Sequence, residues 1–344
     1  MVAVGVSLAL LTSPQTAYAA ADYGVSDPNS LEPFDGDLTV RLDGQVVENL
    51  EIRGTLWIAA NDVVVRNVWV YSESAWTVYV EEGSATFENV EIGHPDFIGE
   101  RGIGGRNVTA RLLDIHHVED GIKLGDDSTY EQVHVHDLDS LSPDPHADAI
   151  QADGGSSNVM VRDSVLDSTG PLGTGNAAVL LKSDLGPIDG VILDGNHLNG
   201  GAYTIFVRDG GNGYPTNVTF TDNTFGPDFK FGLADIPGSV AWSGNTFEGT
   251  GQDLEPDGTL SETGSAPEIS EPTSGVTSTL APSTTMLGSQ REGNSSEPPA
   301  AAPEPSEEPS TAQWATGLLV AFLLGALSTS IWSMRRRSRE DAAE

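Results

Sequence analysis

Asn61–Val70 reads NDVVVRNVWV. Val63 and Val65 alternate with polar or outward positions at a period of two, which is the signature of a strand. A third apolar residue, Val70, falls seven after the first. The same triplet recurs down the chain as Ala85, Phe87, Ile92, then Val108, Ala110, Ile115, then Ser128, Tyr130, Val135. It continues as Val159, Val161, Leu166, then Val191, Leu193, Leu198, then Val218, Phe220, Phe225, and ends as Val240, Trp242, Phe247. An earlier copy spans Val46 to Ile52. The closing residues of successive copies are 22, 23, 20, 31, 32, 27 and 22 apart.

A fixed period of this kind points to a repeat architecture. Parallel strands joined through helices need about 30 residues per unit and an amphipathic helix in each. The shorter intervals leave no room for that, and no helical stripe is present. An antiparallel sandwich would show turn signals every 8–12 residues without so long a register. Gly is abundant, at 39 residues, and Asn or Asp marks most turns. The pattern therefore predicts an all-β solenoid, one coil per repeat, stacked in parallel. Eight or nine coils at a spacing of about 4.8 Å give a rod of roughly 40 Å. Asn196, Asn223 and Asn245 share one register and predict a stack of hydrogen-bonded amides at a turn. The open strand edges at the rod ends need covers, and Tyr23 to Asp37 is the expected cap of the first coil.

The runs NDVVVRNVWV, SSNVMVRDSVLDS and PTNVTFTDNTF resemble the right-handed parallel β-helix of the pectate-lyase-like superfamily, over roughly Val40 to Phe247. DGIKLGD, HADAIQ, NAAVLLKSDLGPIDGV and GAYTIFVRDGG are similar to segments of actinobacterial secreted β-helix proteins of unassigned function. The resemblance implies a fold and leaves the activity open.

Each central coil carries a second strand: Ile122-Lys123-Leu124, Ile150-Gln151-Ala152, Val179 to Lys182, and Ile205 to Arg208. If Ile122, Ile150, Val179 and Ile205 stack inward, Lys123, Gln151, Leu180 and Phe206 form one outward column. Asp153, Lys182 and Arg208 form another. Asp120 and Asp148 stand at one point of two adjacent coils, just before the strand. Between residues 22 and 250 there are only three lysines and eight arginines, and Lys123, Lys182 and Arg208 fall on this face. His146 lies at its mouth, and Tyr203 and Phe206 add aromatic surface. The candidate catalytic set is thus Asp120, Lys123, His146, Asp148, Lys182 and Arg208, with Gln151, Tyr203, Phe206 and Asp209 as substrate-binding candidates.

Hydrolysis of a glycosidic bond needs two carboxyls, one protonated, and Asp120 and Asp148 are the candidates. Lyase or epimerase chemistry on a uronate needs a base and cations to neutralise the carboxylate. His146, Lys123, Lys182 and Arg208 supply those types. Asp144-Pro145-His146 is similar to a short motif of alginate epimerases, without the tyrosine expected upstream. Against these stands a plainer reading. Asp before Gly or Ala is a common turn device, and an outward lysine is ordinarily just solvated.

Five of the seven histidines lie between His116 and His146. His116 and His136 share a register, Asp167 follows in the next coil, and such a stack can bind a transition metal or simply satisfy backbone groups. Asp126 and Asp127 can help hold Ca²⁺, the companion ion that the resemblance implies.

The ends read differently. Residues 1–21 have an apolar core, Val2 to Leu11, and a small-x-small site at Ala17-Tyr18-Ala19, as in a signal peptide. Residues 22–250 are the β-helix domain. Residues 251–311, rich in Pro, Ser, Thr and Glu, are expected to be a disordered stalk. Residues 312–334 carry no charge, have Trp314 and Trp332 near their ends, and are followed by Arg335, Arg336, Arg337 and Arg339. That predicts a single transmembrane helix and a cytoplasmic basic tail, 335–344. There are no cysteines, so the fold rests on its core. The net charge of −35 excludes nucleic acid as a partner. The expectation is a cell-membrane protein with an extracellular head, acting on an extracellular polysaccharide or cell-envelope glycan. The alternative is a non-catalytic glycan-binding or adhesive module.

Overall fold

The computed structural model describes residues 22–142 and 146–260. The expected signal peptide, the stalk beyond residue 260, the membrane helix, the basic tail, and Asp144 and Pro145 lie outside the described residues. Among the described residues no helix is long and apolar enough to cross a membrane.

The chain is a parallel β-helix. In the first coils each triplet lies on one continuous strand that pairs in parallel with the equivalent strand of the next coil; from Val159 onward it is split over two short parallel-paired strands, such as Ser156–Arg162 and Val165–Asp167, and Val218 and Val240 fall just outside theirs. Val46–Arg53 pairs with Leu56–Tyr71, which pairs with Val78–Ile92, then Val108–His116, then Ser128–His136. The registers align like residues. Val47, Val65, Phe87, Ala110 and Tyr130 form one inward column, and Ile52, Val70, Ile92, Ile115 and Val135 form another. All are buried. A further wall comes from Val78, Ile103, Ile122, Ile150, Val179 and Ile205, stacked in order. Each coil alone could not cover its apolar face. Stacking buries a continuous core in which each large side chain contributes roughly 1.5–3 kcal/mol.

The corners explain the Asn and Asp pattern. Asn49, Asn67, Asn89, Leu112, Gln132, Asp163 and Asp222 adopt φ near +50°, each between the two straight parts of its repeat. Asn and Asp visit this left-handed region most readily after glycine, which accounts for five of these seven corners; Leu112 and Gln132 adopt it without that preference. Just before the first six of these bends the side chains point out and alternate in charge: Glu48, Arg66, Glu88, Arg111, Glu131, Arg162. Arg66 reaches Glu48 at 2.7 Å and Arg162 reaches Glu131 at 2.8 Å.

The expected amide stack is present. Asn196 Nδ2 donates to Asn223 Oδ1 at 3.0 Å, and Asn223 Nδ2 to Asn245 Oδ1 at 2.9 Å, while the two Nδ2 groups also reach Val161 O and Leu193 O. Ser164 continues the stack, its N–H donating to Asn196 Oδ1 at 3.0 Å.

The two ends depart from expectation. Glu32–Asp35 is already a strand, paired with Leu50–Arg53, so the first coil begins inside the expected cap. The residues before it run along the side of the rod: Ser26 N–H bonds Asn67 Oδ1 at 3.0 Å, Gly24 N–H bonds Leu112 O at 3.0 Å, and Tyr23 packs on His134. At the other end, residues 251–260, which composition assigns to the stalk, pack on the last coil. Leu254 is buried there, and its carbonyl accepts from Trp242 Nε1 at 2.6 Å. One apolar residue and an indole N–H that needs an acceptor hold this segment against a polar composition.

Candidate functional site

The second-strand face has an outward column in the order Trp57, Tyr79, Gly104, Lys123, Gln151, Leu180, Phe206, Asp235. Gly104 leaves a gap that the Trp76 ring fills, since a Cβ there would lie 2.4 Å from that ring. Trp76 packs on Tyr79 with centroids 4.5 Å apart, and Arg101 lies over Trp76 at 5.3 Å. A concavity of about 290 Å³ opens here, lined by Trp76, Tyr79, Arg106, Lys123, Gln151, Asp153 and Leu185.

Arg101, Asp120, Asp148 and Ala177 form the neighbouring column. Strict alternation would send Asp120 and Asp148 inward with Ile122 and Ile150. The chain avoids this with two consecutive inward residues. A Cβ on Gly102 would lie 2.9 Å from Ile115 Cγ2, and one on Gly121 would lie 2.6 Å from Val135 Cγ1, so these positions also face the core. Ala149 and Ala178 continue that small, buried column. The resulting kink turns both carboxyls away from the core.

They do not reach open solvent equally. Asp148 is 0% exposed and Asp120 9%. Asp148 Oδ1 accepts from Asn176 Nδ2 at 2.8 Å, while Asp148 Oδ2 has no partner. Asn176 belongs to the loop after Asp167 and is held by its N–H to Ala147 O at 2.8 Å. Burial pushes the Asp148 carboxyl well above the ordinary range, and the charge of Asp120 adds to it. Burial also pushes Asp120 up to about 6, against the pull of Lys123 and Arg101. Both shifts favour the protonated form over the ordinary carboxylate. Lys123 Nζ is 3.6 Å from Asp120 and 2.6 Å from Asp153, and it also donates to Gln151 Oε1.

The structure thus brings together Asp120, Lys123, Asp148 and Gln151. The other candidates lie apart. His146, whose N–H bonds Glu119 Oε1 at 3.0 Å, lines a separate concavity of about 310 Å³ with Asn176, Ala202 and Lys230. Lys182 and Arg208 are in register, as expected, but each has its own acid: Asp184 at 3.1 Å for Lys182, and Asp235 for Arg208. Phe206 lies under Arg208 at 4.7 Å and beside Tyr203 at 5.1 Å. Tyr203 opens on a further concavity of about 500 Å³ with Phe231 and Asp235. Asp209 serves its own loop, accepting from Gly211 and Gly213 N–H at 2.7 and 3.0 Å.

The expected metal set regroups. His116 and His136 are paired, but Asp167 bonds Thr169 N–H and Asn199 instead. The groups that converge are Asp114, His134 and His136, within 4.8 Å of one another. His134 and His136 are two apart on one strand, and Asp114 is the register partner of His134. Asp126 and Asp127 are engaged by Ser157 and Asn158 and join no such group among the described residues.

Trp76, Tyr79, Arg101 and Asn176 were not legible as site residues. One signal was available: the intervals of 31 and 32 residues mark the coils that carry the extra loops, and Asn176 sits in one of them. Trp76 lies outside any repeat position, and only tertiary packing carries it over Gly104.

No family model matches the chain, and no curated protein does. Among solved structures the chain is similar to an alginate lyase from Paenibacillus sp. str. FPU-7, at 13% identity and a TM-score of 0.43, over 69% of this chain and 93% of that one.

Proposed function

We propose that the head is a polysaccharide-active, right-handed β-helix of the pectate-lyase-like kind. An extended glycan lies along the column from Trp57 to Phe206, and Asp120 exchanges a proton with it. The carrying observation is Asp120 lying 3.6 Å from Lys123, which itself lines the groove walled by Trp76 and Tyr79. Asp120 is pushed up to about 6 and backed by the buried Asp148. A group that titrates near the working pH is suited to general acid–base catalysis.

Asp148 is fully buried, so it does not flank a sugar opposite Asp120 as two-carboxyl hydrolysis requires. Elimination fits better. Asp120 takes the proton from the carbon beside a uronate carboxylate, and the bond to the neighbouring glycosidic oxygen breaks. A carbon–carbon double bond forms, and the leaving oxygen takes a proton. Lys123 and Arg106 are the cations beside that carboxylate. A second reading, binding without turnover, is favoured by one observation: Lys123 is already held by Asp153 and Gln151. In either case we propose that the head is displayed outside the cell. The apolar run from Trp314 to Trp332 and the arginines after it support that reading.

The test incubates the full chain with neutral and acidic polysaccharides while following unsaturated-uronate absorbance and reducing ends together. Elimination produces both signals, and Asp120→Asn lowers them by about 10²–10⁴-fold while Trp76→Ala weakens retention on the polymer. Retention without product supports the binding reading. New ends without absorbance overturn elimination, and neither product nor retention overturns the proposal.

A further inference from the structure

The histidine cluster lies on the repeat-strand face and belongs to no part of the groove just described. Asp114 Oδ1 is 3.1 Å from His134 Nδ1 and 3.0 Å from His136 Nε2. The other nitrogen of His136, Nδ1, is 2.8 Å from Asp137 Oδ2. A neutral imidazole has one N–H and one lone pair. If the N–H of His136 points at Asp137, its lone pair points at the Asp114 carboxylate, and two acceptors face each other at hydrogen-bond distance. A positive charge between them removes the conflict. The His134 and His136 rings stack with centroids 4.1 Å apart, so both present a nitrogen to the same Asp114 oxygen. One divalent ion satisfies all three groups at once.

We propose that Asp114, His134 and His136 bind a borderline divalent transition ion, with Asp137 as the carboxylate that orients His136. Two imidazole nitrogens and one carboxylate oxygen suit such an ion, whereas calcium takes six to eight oxygens. A carboxylate behind a ligating histidine is the usual second contact of a metal site. The three ligands are partly exposed, and Asp114 and His134 line a concavity of about 500 Å³ together with Tyr23 and Ser26. Three protein ligands beside a solvent-facing hollow leave a coordination position for water or a substrate atom. His116, 5.3 Å from His136 by ring centroids, is turned to His117 and Glu91 and stays outside the set.

The test uses the full chain without an affinity tag, stripped with a chelator and titrated with Zn²⁺ against a competing chelator, then with Co²⁺ in the visible range. One ion per chain is expected, with Ca²⁺ unable to displace it. His134→Ala and His136→Ala each weaken binding by more than about 100-fold, and the exposed Asp137→Asn by about 10–100-fold with the Co²⁺ spectrum retained. His116→Ala and His197→Ala bind as wild type. The site is overturned by absence of stoichiometric binding in the wild type. It is also overturned if His134→Ala or His136→Ala binds normally, or if His116→Ala loses as much as His136→Ala. Unchanged affinity in Asp137→Asn removes its orienting role.

Discussion

Asp148 is a carboxyl with no exposure, one hydrogen bond and one oxygen without a partner. Such a group is tolerated when it is neutral, because the desolvation cost falls on the charged form. With folded-state values above the unfolded one, Asp120 and Asp148 bind more protons in the native than in the unfolded chain between about pH 4 and their raised values. Stability therefore falls as pH rises through that window, by roughly 3 kcal/mol for Asp120 with its value at about 6. Asp148→Asn removes the penalty of ionising Asp148. Urea midpoints of wild type and variant are expected to converge near about pH 4 and to separate progressively as pH rises above it, with the variant the more stable. Parallel curves across that range would show that Asp148 holds no proton. The two aspartates were legible in the sequence as register partners. Their unequal burial was not, because it depends on the loop that carries Asn176 and on the inward kink at Gly121.

At the scale of the element, the Asn196–Asn223–Asn245 stack joins consecutive coils where alternation alone would place an apolar residue. In the coils before it the same column holds Val68, Val90, Leu113 and Val133. The amides act as rungs, each satisfying a carbonyl of the coil before and the neighbouring amide. Asn223→Ala leaves Leu193 O and Asn196 N–H without their partners in a fully buried site. Each orphaned group costs about 1–3 kcal/mol, so a loss of roughly 2–5 kcal/mol in equilibrium unfolding is expected. A loss below about 1 kcal/mol would mean that water or a shifted backbone replaces the amide. Shared register made this stack readable from spacing. The alternating Glu and Arg ladder beside it was equally regular, yet spacing alone could not show it, since opposite charges pair only once the coils are stacked in the right register.

For the whole molecule the dominant electrostatic fact is the net charge of −35. Ion pairs such as the exposed Arg66–Glu48 and the half-buried Arg162–Glu131 contribute little each, whereas self-repulsion acts among all the excess acidic groups. Salt screens both, but the repulsion is the larger sum. The thermal midpoint is expected to rise between about 0.01 M and about 0.15 M NaCl, where the screening length falls from about 30 Å to about 8 Å. A falling midpoint would mean that the local pairs outweigh the repulsion. The same field repels a polyanionic glycan at long range, so capture of a uronate polymer is expected to strengthen over this salt range if the groove is its site.

The sequence by itself determined that the chain is a parallel solenoid and which residues of its central coils share a register, though not where its first and last coils end. Period-two alternation and a recurring register are local properties, written in the order of residues and independent of distance. The tertiary structure alone decided which columns carry candidate sites. Trp76 lies over Gly104 because a missing Cβ leaves room. Asp148 is closed off because a loop from the next coil crosses it. Asp114 meets His134 and His136 because two coils of 20-residue spacing bring distant residues into one register. Lys182 and Arg208, outward as expected, are neutralised by Asp184 and Asp235. Burial, shared neighbours and charge pairing depend on the sum of contacts around a side chain, and that sum exists only once the coils are stacked.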